Sequence, residues 1–183
     1  MSPAERITVL LAEDHAIVRE GLRNLLEAEK DIEVVGEASD GRQAVAMAQK
    51  LHPAVIVMDI AMPLLNGVEA TRQICQLIPD AKVLILSAHD DDAYVERVTA
   101  FGATGYLIKQ SSSHFLCEAI RAVQKGIPFF SPVIAARLRR HKQQTLDRKG
   151  RAKASAAHLS QRCRPDEAAA AKRAPSRVER QGL

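Results

Sequence analysis

The sequence of 183 residues contains no Trp, and its aromatic residues amount to only 3% of the composition. A hydrophobic core built from this chain must therefore be aliphatic. No apolar run approaches the roughly 20 residues that a membrane-spanning helix needs. The start of the chain also lacks the basic and then apolar layout of a signal peptide. These absences predict a cytoplasmic protein with no membrane partner.

Cysteine is also scarce. The three cysteines, Cys75, Cys117 and Cys163, are far apart, and none has a second Cys at metal-ligand spacing. A disulfide framework and a zinc site are therefore not expected. Cys75 and Cys117 are predicted to be small packing residues of helices, because a free cysteine commonly behaves as a buried hydrophobe.

Acidic residues become rare toward the end of the chain. Residues 137–183 hold 14 Lys and Arg against 4 Asp and Glu, whereas residues 1–136 hold 12 against 18. From Arg140 onward few aliphatic side chains larger than Ala occur, too few to offset an ordering entropy of roughly 1 to 2 kcal/mol per residue. The sequence predicts an acidic folded body over 1–126, a linker over 127–158, and a mostly disordered basic segment over 159–183.

Five short aliphatic runs alternate with segments of helical period over residues 1–125. This alternation is typical of an α/β protein with a doubly wound, five-stranded parallel sheet covered by helices on both faces. The predicted strands are Ile7–Ala12, Ile32–Glu37, Ala54–Met58, Lys82–Ser87 and Gly105–Ile108.

Apolar residues between the predicted strands repeat at helical spacing, which predicts one buried stripe for each helix. Two such sets are Val18, Leu22, Leu25 and Leu26, and Leu116, Ala119, Ile120 and Val123. Gly126 supplies a stop at the end of the last helix.

Charged and polar residues follow four of the predicted strands. Helices on both faces of a parallel sheet leave a crevice at the carboxyl ends of the strands. The residues expected at that edge are Glu13, Asp14, Asp59, Ser87 and Lys109. Three carboxylates at one edge would repel one another unless a cation neutralised them. Oxygen ligands suit Mg²⁺, which also binds phosphate oxygens, so the edge is predicted to be a site for Mg²⁺ and a phosphoryl group.

Because Asp59 follows the central strand, it is the best placed nucleophile. Its carboxylate can attack phosphorus to give an acyl phosphate. The hydroxyl of Ser87 can donate to one phosphoryl oxygen, and the ammonium of Lys109 can neutralise another. A single Asp after a strand is more often a loop or cap residue. The hypothesis therefore depends on the coincidence of all five residues at one edge.

These residues lie in segments that resemble the receiver domain of two-component response regulators, the CheY-like family. The segments are Leu11-Ala12-Glu13-Asp14-His15, Val57-Met58-Asp59-Ile60-Ala61-Met62-Pro63, Asn66-Gly67, Leu86-Ser87-Ala88 and Gly105-Tyr106-Leu107-Ile108-Lys109. The resemblance spans residues 6–126 and implies a flavodoxin-like fold with strand order 2-1-3-4-5. Val18-Arg19-Glu20-Gly21-Leu22 is most similar to receivers that precede a LuxR-type helix-turn-helix.

The resemblance implies that a sensor histidine kinase, or a small acyl phosphate, donates a phosphoryl group to Asp59. Mg²⁺ would be held by Asp14, Asp59 and the backbone carbonyl of Ala61, with Glu13 assisting.

A switch is also implied. Ser87 would move toward the phosphoryl group, and Tyr106 would turn inward. The face formed by the fourth helix, the fifth strand and the fifth helix would then repack, and a homodimer is expected through it. A plain packing role for Tyr106 stays open. Gln110 follows Lys109 where many receivers have Pro, which leaves the local geometry open.

Two histidines lie beside acidic residues. His15 follows Glu13 and Asp14, and His89 precedes three Asp residues. Mg²⁺ prefers oxygen, and no second His lies near His15 in the sequence. Both histidines are therefore interpreted as solvent-facing residues near a helix start rather than metal ligands.

The end of the chain resembles only the opening of a helix-turn-helix domain. Leu159-Ser160-Gln161-Arg162-Cys163-Arg164 carries that likeness, but neither the expected aliphatic helix nor a recognition helix follows. Alanine codons read one base later can encode Leu or Gln. Residues 159–183 are therefore interpreted as a remnant or a frame-shifted helix-turn-helix, and DNA binding is expected only if an intact one is present.

The preferred function is a response regulator, not a turnover enzyme, derived from a DNA-binding transcriptional regulator. A stand-alone receiver that acts through protein partners or as a phosphate sink stays open. The basic tail could also bind nucleic acid through phosphate contacts, although it has no aromatic residues for stacking. A phosphatase is disfavoured, because Ala61 stands where such enzymes usually carry a second Asp.

Overall fold

The computed structural model describes residues 6–88, 92–136 and 138–139, and of residues 92–93 and 111–114 the backbone alone. The chain divides into two units, Met1–Arg140 and His141–Leu183, and every described residue belongs to the first. The predicted helix-turn-helix remnant, most of the predicted linker and His89 lie outside the described residues.

Six parallel strands form a single sheet in the described part of the chain. They are β1 (Ile7–Ala12), β2 (Ile32–Ala38), β3 (Val55–Asp59), β4 (Val83–Ser87), β5 (Gly105–Ile108) and β6 (Phe129–Phe130). Their order is β2-β1-β3-β4-β5-β6. The order predicted for the first five strands is confirmed, whereas β6 was missed. A strand of two residues is too short to show an alternating pattern in the sequence.

Five α-helices connect the strands: α1 (Ala16–Glu27), α2 (Gly41–Leu51), α3 (Gly67–Leu77), α4 (Asp92–Ala100) and α5 (Ser112–Gln124). A 3₁₀ turn, Lys109–Ser111, precedes α5, and residues 132–136 are helical. The side chains of Asp40 and Asn66 cap α2 and α3 by accepting hydrogen bonds from backbone amides of the first turn. Among the described residues, no helix combines the length and apolar character needed to cross a membrane.

Two apolar clusters lie on opposite faces of the sheet, because successive strand residues point to opposite sides. Helices α1 and α5 cover one face, with Leu22, Leu26, Leu116 and Ile120 buried. Helices α2, α3 and α4 cover the other, with Ala48, Ile74, Val95 and Val98 buried. Cys75 and Cys117 pack half-buried against these clusters, and burial raises the pKa of both thiols.

The predicted burial of Val18 is wrong, since this residue is 39% exposed. Val18 lies in the first turn of α1, beside the exposed Ile17. A crossover helix starts at the carboxyl edge of the sheet, where its first turn meets only the strand ends. Leu22 and Leu26, one and two turns further on, reach the core.

The chain reaches β6 through a tight turn after α5. Gly126 has a φ of +76°, a left-handed conformation that favours glycine, and its amide donates to the carbonyl of Val123 over 2.9 Å. Phe129 and Phe130 then pair with Gly105 and Tyr106 of β5. The division of the chain at residue 126 stays a prediction, although the sheet itself continues to Phe130.

Candidate functional site

Four strand ends bring the candidate residues to one edge of the sheet. Glu13 follows β1, Asp59 ends β3, Ser87 ends β4, and Lys109 follows β5. Glu13, Asp59 and Ser87 are buried. The amide of Glu13 donates to the carbonyl of Ala38 over 3.0 Å, which fixes the turn after β1 against the end of β2. The sequence analysis predicted these residues at this edge, because each of them ends or follows a strand of a parallel sheet.

Lys109 lies between two of the carboxylates. Its Nζ atom is 2.7 Å from Oε2 of Glu13 and 2.9 Å from Oδ2 of Asp59. Burial by itself would lower the pKa of Lys109, but hydrogen bonding and Coulombic attraction from Glu13 and Asp59 outweigh it, so the pKa is raised. The ammonium therefore stays charged over the whole physiological range and cross-links β1 to β3.

Asp14 and His15 complete a compact group of donors. One ligand atom from each of Glu13, Asp14, His15 and Asp59 lies within 4.8 Å of the other three. Nδ1 of His15 is 2.8 Å from Oδ1 of Asp14 and 3.1 Å from Oε1 of Glu13. His15 is the N-cap of α1, and its side chain is 67% exposed, as expected for a helix-start residue. Its ring nevertheless faces the carboxylates, which the sequence analysis did not anticipate.

The charge balance of this group fits a small divalent cation. Three carboxylates face one ammonium, which leaves an excess of negative charge in a site shielded from water. Oε2 of Glu13, Oδ1 of Asp14 and Oδ2 of Asp59 are buried, and their close neighbours are the Lys109 ammonium and the His15 ring. Carboxylate oxygens are the ligands that Mg²⁺ prefers.

The loop from β3 to α3 is held close to Asp59. A Cβ atom built on Gly67 would lie 1.9 Å from the carbonyl oxygen of Asp59, and the Gly67 amide donates to the carbonyl of Ile60 over 2.9 Å. Leu64, inside this loop, has a φ of +63° and is largely exposed. Ala61 lies in the same loop and is exposed, and the role of its carbonyl stays a prediction.

An arginine that sequence reasoning missed supports the turn after β1. Nη1 of Arg19 donates to the carbonyl oxygen of Glu13 over 2.6 Å, and its Nε donates to Oε2 of Glu37 over 3.2 Å. Arg23 donates to the other carboxylate oxygen of Glu37 over 2.7 Å. The Val18-Arg19-Glu20 segment contained this signal, but only the folded chain places Arg19 beside Glu13.

Tyr106 is fully buried in the cluster that also contains Val95, Val98 and Ile134. The amide of Ser131 donates to the carbonyl of Tyr106 over 3.0 Å. The strand that carries the predicted switch residue is thus paired with the segment that follows α5. Sequence analysis did not identify this contact, since it depends on the short strand β6.

Comparison with known proteins identifies the family. The family model of the response regulator receiver domain matches residues 9–121. The chain is 44% identical over 133 residues to the transcriptional regulatory protein DegU of Brevibacillus brevis, an alignment that covers 73% of this chain and 56% of the relative. It is 46% identical over 132 residues to LiaR of Bacillus subtilis, with 72% and 63% covered. The chain therefore belongs to the response regulator receiver domain family.

A solved structure supports the same assignment. The crystal structure of a LuxR-family two-component response regulator from Aurantimonas is similar with a TM-score of 0.72 and 36% sequence identity, and the match covers 75% of this chain and 99% of that one. The resemblance to LuxR-family regulators is thus confirmed. The chain spans less than two thirds of the length of the DegU and LiaR relatives.

Proposed function

We propose that this protein is a two-component response regulator that accepts a phosphoryl group on Asp59 from a sensor histidine kinase. The observation that carries the proposal is the position of the Asp59 carboxylate, buried at the end of the central strand with Lys109 Nζ 2.9 Å away. An ionised carboxylate in a shielded site with a fixed cation is suited to attack on phosphorus.

The transfer breaks the nitrogen–phosphorus bond of a phosphohistidine and forms an oxygen–phosphorus bond to Asp59. The histidine of the kinase leaves with the electron pair of the broken bond and takes up a proton. The Lys109 ammonium neutralises charge on one phosphoryl oxygen, and the Ser87 hydroxyl donates a hydrogen bond to another. Ser87 ends β4, which pairs with β3, and Nζ of Lys109 lies 2.9 Å from Oδ2 of Asp59.

Mg²⁺ is the ion that the donor set fits. Glu13, Asp14, Asp59 and the carbonyl of Ala61 would hold it. When bound, Mg²⁺ supplies positive charge that offsets the negative charge of the carboxylates and of the incoming phosphoryl group. The backbone that carries two of these residues is held in place, because Arg19 donates to the backbone carbonyl of Glu13 and the absence of a side chain at Gly67 lets the start of α3 lie against the backbone of Asp59.

The switch would run through Ser87 and Tyr106. Tyr106 is buried, which is the position that the resemblance assigns to the phosphorylated form. The face formed by α4, β5 and α5 would then carry the signal, and a homodimer is expected through it. Strand β6 borders β5, so the response reaches residues 129–131 as well.

The test is phosphorylation of the full chain with acetyl phosphate and Mg²⁺, followed by intact mass spectrometry. Wild type is expected to gain the mass of one phosphoryl group, and Asp59→Asn is expected to gain none. Asp80→Asn serves as the matched control, because Asp80 is an exposed acid after α3, at the other edge of the sheet. Uptake by Asp59→Asn, or no uptake by wild type, would overturn the proposal.

The output is proposed to be transcriptional, since the relatives DegU and LiaR are transcriptional regulatory proteins. Genomic DNA fragments captured by the phosphorylated chain can be compared with those captured by Asp59→Asn. Enrichment of defined fragments with phosphorylation supports a transcriptional output. Equal, sequence-independent capture supports a receiver that acts through protein partners.

A further inference from the structure

The His15 ring is directed at the carboxylates although most of its surface is open to solvent. Its backbone amide donates to Oε1 of Glu13 over 3.2 Å, and Nδ1 of the same residue lies 3.1 Å from that oxygen. Nδ1 also lies 2.8 Å from Oδ1 of Asp14. A ring nitrogen carries at most one hydrogen and donates well to one acceptor. A single hydrogen bond therefore does not account for both short distances. An arrangement in which the His15 nitrogen and the two carboxylate oxygens bind one shared metal ion would account for both.

The separations match those within an octahedral coordination sphere. Metal–ligand bonds of about 2.1 Å place neighbouring ligand atoms of an octahedron about 3.0 Å apart and opposite ones about 4.2 Å apart. The His15 separations of 2.8 and 3.1 Å agree with neighbouring positions. The donors of the four residues span no more than 4.8 Å, so small side-chain movements bring all four to one ion.

The presence of a nitrogen donor changes which ions the site prefers. Mg²⁺ selects oxygen ligands, whereas imidazole suits first-row transition ions such as Co²⁺, Ni²⁺ and Zn²⁺. We propose that His15 is an additional protein ligand of the metal site, through which the site takes a first-row transition ion with three carboxylates and one imidazole. This inference rests on the proposed metal site. It extends the site from Mg²⁺ to first-row transition ions, which three carboxylates without an imidazole would favour less.

The consequence is competition at a single site. Glu13, Asp14 and Asp59 would serve both kinds of ion, so a transition ion bound with His15 excludes Mg²⁺ from the same oxygens. The supply of the two ions would then determine which metal accompanies phosphorylation of Asp59.

The test uses tag-free full chain and two titrations, one with Co²⁺ and one with Mg²⁺, followed by calorimetry. The variant is His15→Asn, chosen because Asn is a favourable N-cap residue and His15 makes no side-chain cap hydrogen bond that the change would remove. The matched control is His52→Asn. His52 is an exposed histidine outside the donor group, and Asn tolerates its left-handed φ of +45°.

His15→Asn is expected to weaken Co²⁺ binding by roughly 10-fold or more. Loss of a residue that only orients a metal ligand already weakens metal binding by roughly 10-fold, and loss of a ligand should cost at least as much. Mg²⁺ binding is expected to change much less, and His52→Asn is expected to match wild type with both ions. Equal losses for Co²⁺ and Mg²⁺ in His15→Asn, or no loss for Co²⁺, would overturn the inference.

A spectroscopic signature reports ligation directly. In the Co²⁺ form, the exchangeable ring proton of a coordinated imidazole gives a strongly shifted proton resonance. This resonance is expected in wild type and His52→Asn and absent in His15→Asn. Its persistence in His15→Asn would assign the ligand to another histidine and reject His15.

The outcome is separable from that of the proposed function. Phosphorylation of wild type is followed in Mg²⁺ alone, where His15 is not required as a ligand. Wild type that takes up phosphoryl groups but shows no His15 resonance with Co²⁺ refutes only this inference. Wild type that shows the resonance but takes up no phosphoryl group refutes only the phosphorylation proposal.

Discussion

The carbonyl oxygen of Asp59 occupies the space where a side chain of residue 67 would begin, 1.9 Å from the position of a Cβ atom on Gly67. Such an approach is possible only because Gly67 has no side chain. The amide of Gly67 also donates to the carbonyl of Ile60, so the start of α3 is fixed against the end of β3. The location of the candidate phosphoryl acceptor therefore depends on a residue that carries no functional group.

Gly67→Ala is expected to displace the end of β3, because the clashing atoms are backbone atoms that cannot rotate away. Overpacking of this kind costs roughly 1 to 3 kcal/mol of the free energy of unfolding, and phosphoryl uptake from acetyl phosphate is expected to fall with it. Urea denaturation and intact mass measure the two effects.

The control for this change is Gly21→Ala. Gly21 lies within α1 with nothing within 4 Å of a built Cβ atom. Alanine is favoured over glycine in a helix by roughly 0.5 to 1 kcal/mol, so this variant is expected to gain stability. If Gly67→Ala were as stable as wild type and took up phosphoryl groups equally well, the close approach of Gly67 to Asp59 would not be required for stability or for phosphorylation.

Lys109→Met is expected to destabilise the metal-free protein by about 3 kcal/mol or more, because it leaves buried Glu13 and Asp59 carboxylates without their cation. Mg²⁺ stabilises the form that binds it, so added Mg²⁺ is expected to raise the melting temperature of the variant by more than that of wild type. Thermal unfolding with and without a chelator measures both effects. Lys125→Met, at an exposed position after α5, is the control and is expected to match wild type. An unchanged melting temperature of Lys109→Met in chelator would contradict the ion-pair assignment.

Glu69, in the first turn of α3, is expected to titrate far below an ordinary glutamate. Hydrogen bonds from Arg72 and Gln73 lower its pKa from 4.5 to about 2. Because the folded-state pKa is depressed, its contribution to stability is present above pH 4.5 and is lost as the pH falls toward 2. A carboxyl-carbon NMR titration measures this pKa.

Arg72→Gln is expected to move the Glu69 pKa up toward 4.5, because Nε of Arg72 donates to Oε2 of Glu69 over 2.9 Å. Arg97→Gln is the matched control, since Arg97 acts only through a weaker Coulombic attraction, and the shift is expected to be small. Equal shifts in the two variants would show that net charge, rather than the Arg72 hydrogen bonds, depresses the pKa of Glu69.

The residues at the sheet edge were predictable because the strand ends follow from the hydrophobic pattern, and the strand order from the resemblance to the receiver family. Asp59 and Lys109 need only the correct parallel sheet to come together. The roles of Gly67 and Arg19 were not predictable, because each depends on the path of a loop in three dimensions. The predicted burial of Val18 was wrong for a related reason. The helical period indicates which face of a helix is apolar, but not how far the helix extends past the sheet.

Ile134 provides the test of how the segment after β6 is tied to the switch residue. It is fully buried in the cluster that contains Tyr106, whereas its neighbour Val133 is 50% exposed. Ile134→Ala is expected to cost about 2 to 5 kcal/mol through lost burial and a cavity, and Val133→Ala far less. Urea denaturation compares the two.

A second readout locates the effect at Tyr106. The chain has two tyrosines and no Trp, so Tyr94→Phe leaves Tyr106 as the sole tyrosine fluorophore. In that background, Ile134→Ala is expected to raise the quenching of tyrosine fluorescence by acrylamide, because the cover over the ring is reduced, and Val133→Ala is expected not to. If both alanine variants left quenching unchanged, the segment after β6 would be packed independently of Tyr106. Repacking of β5 would then not be transmitted to that segment through Ile134.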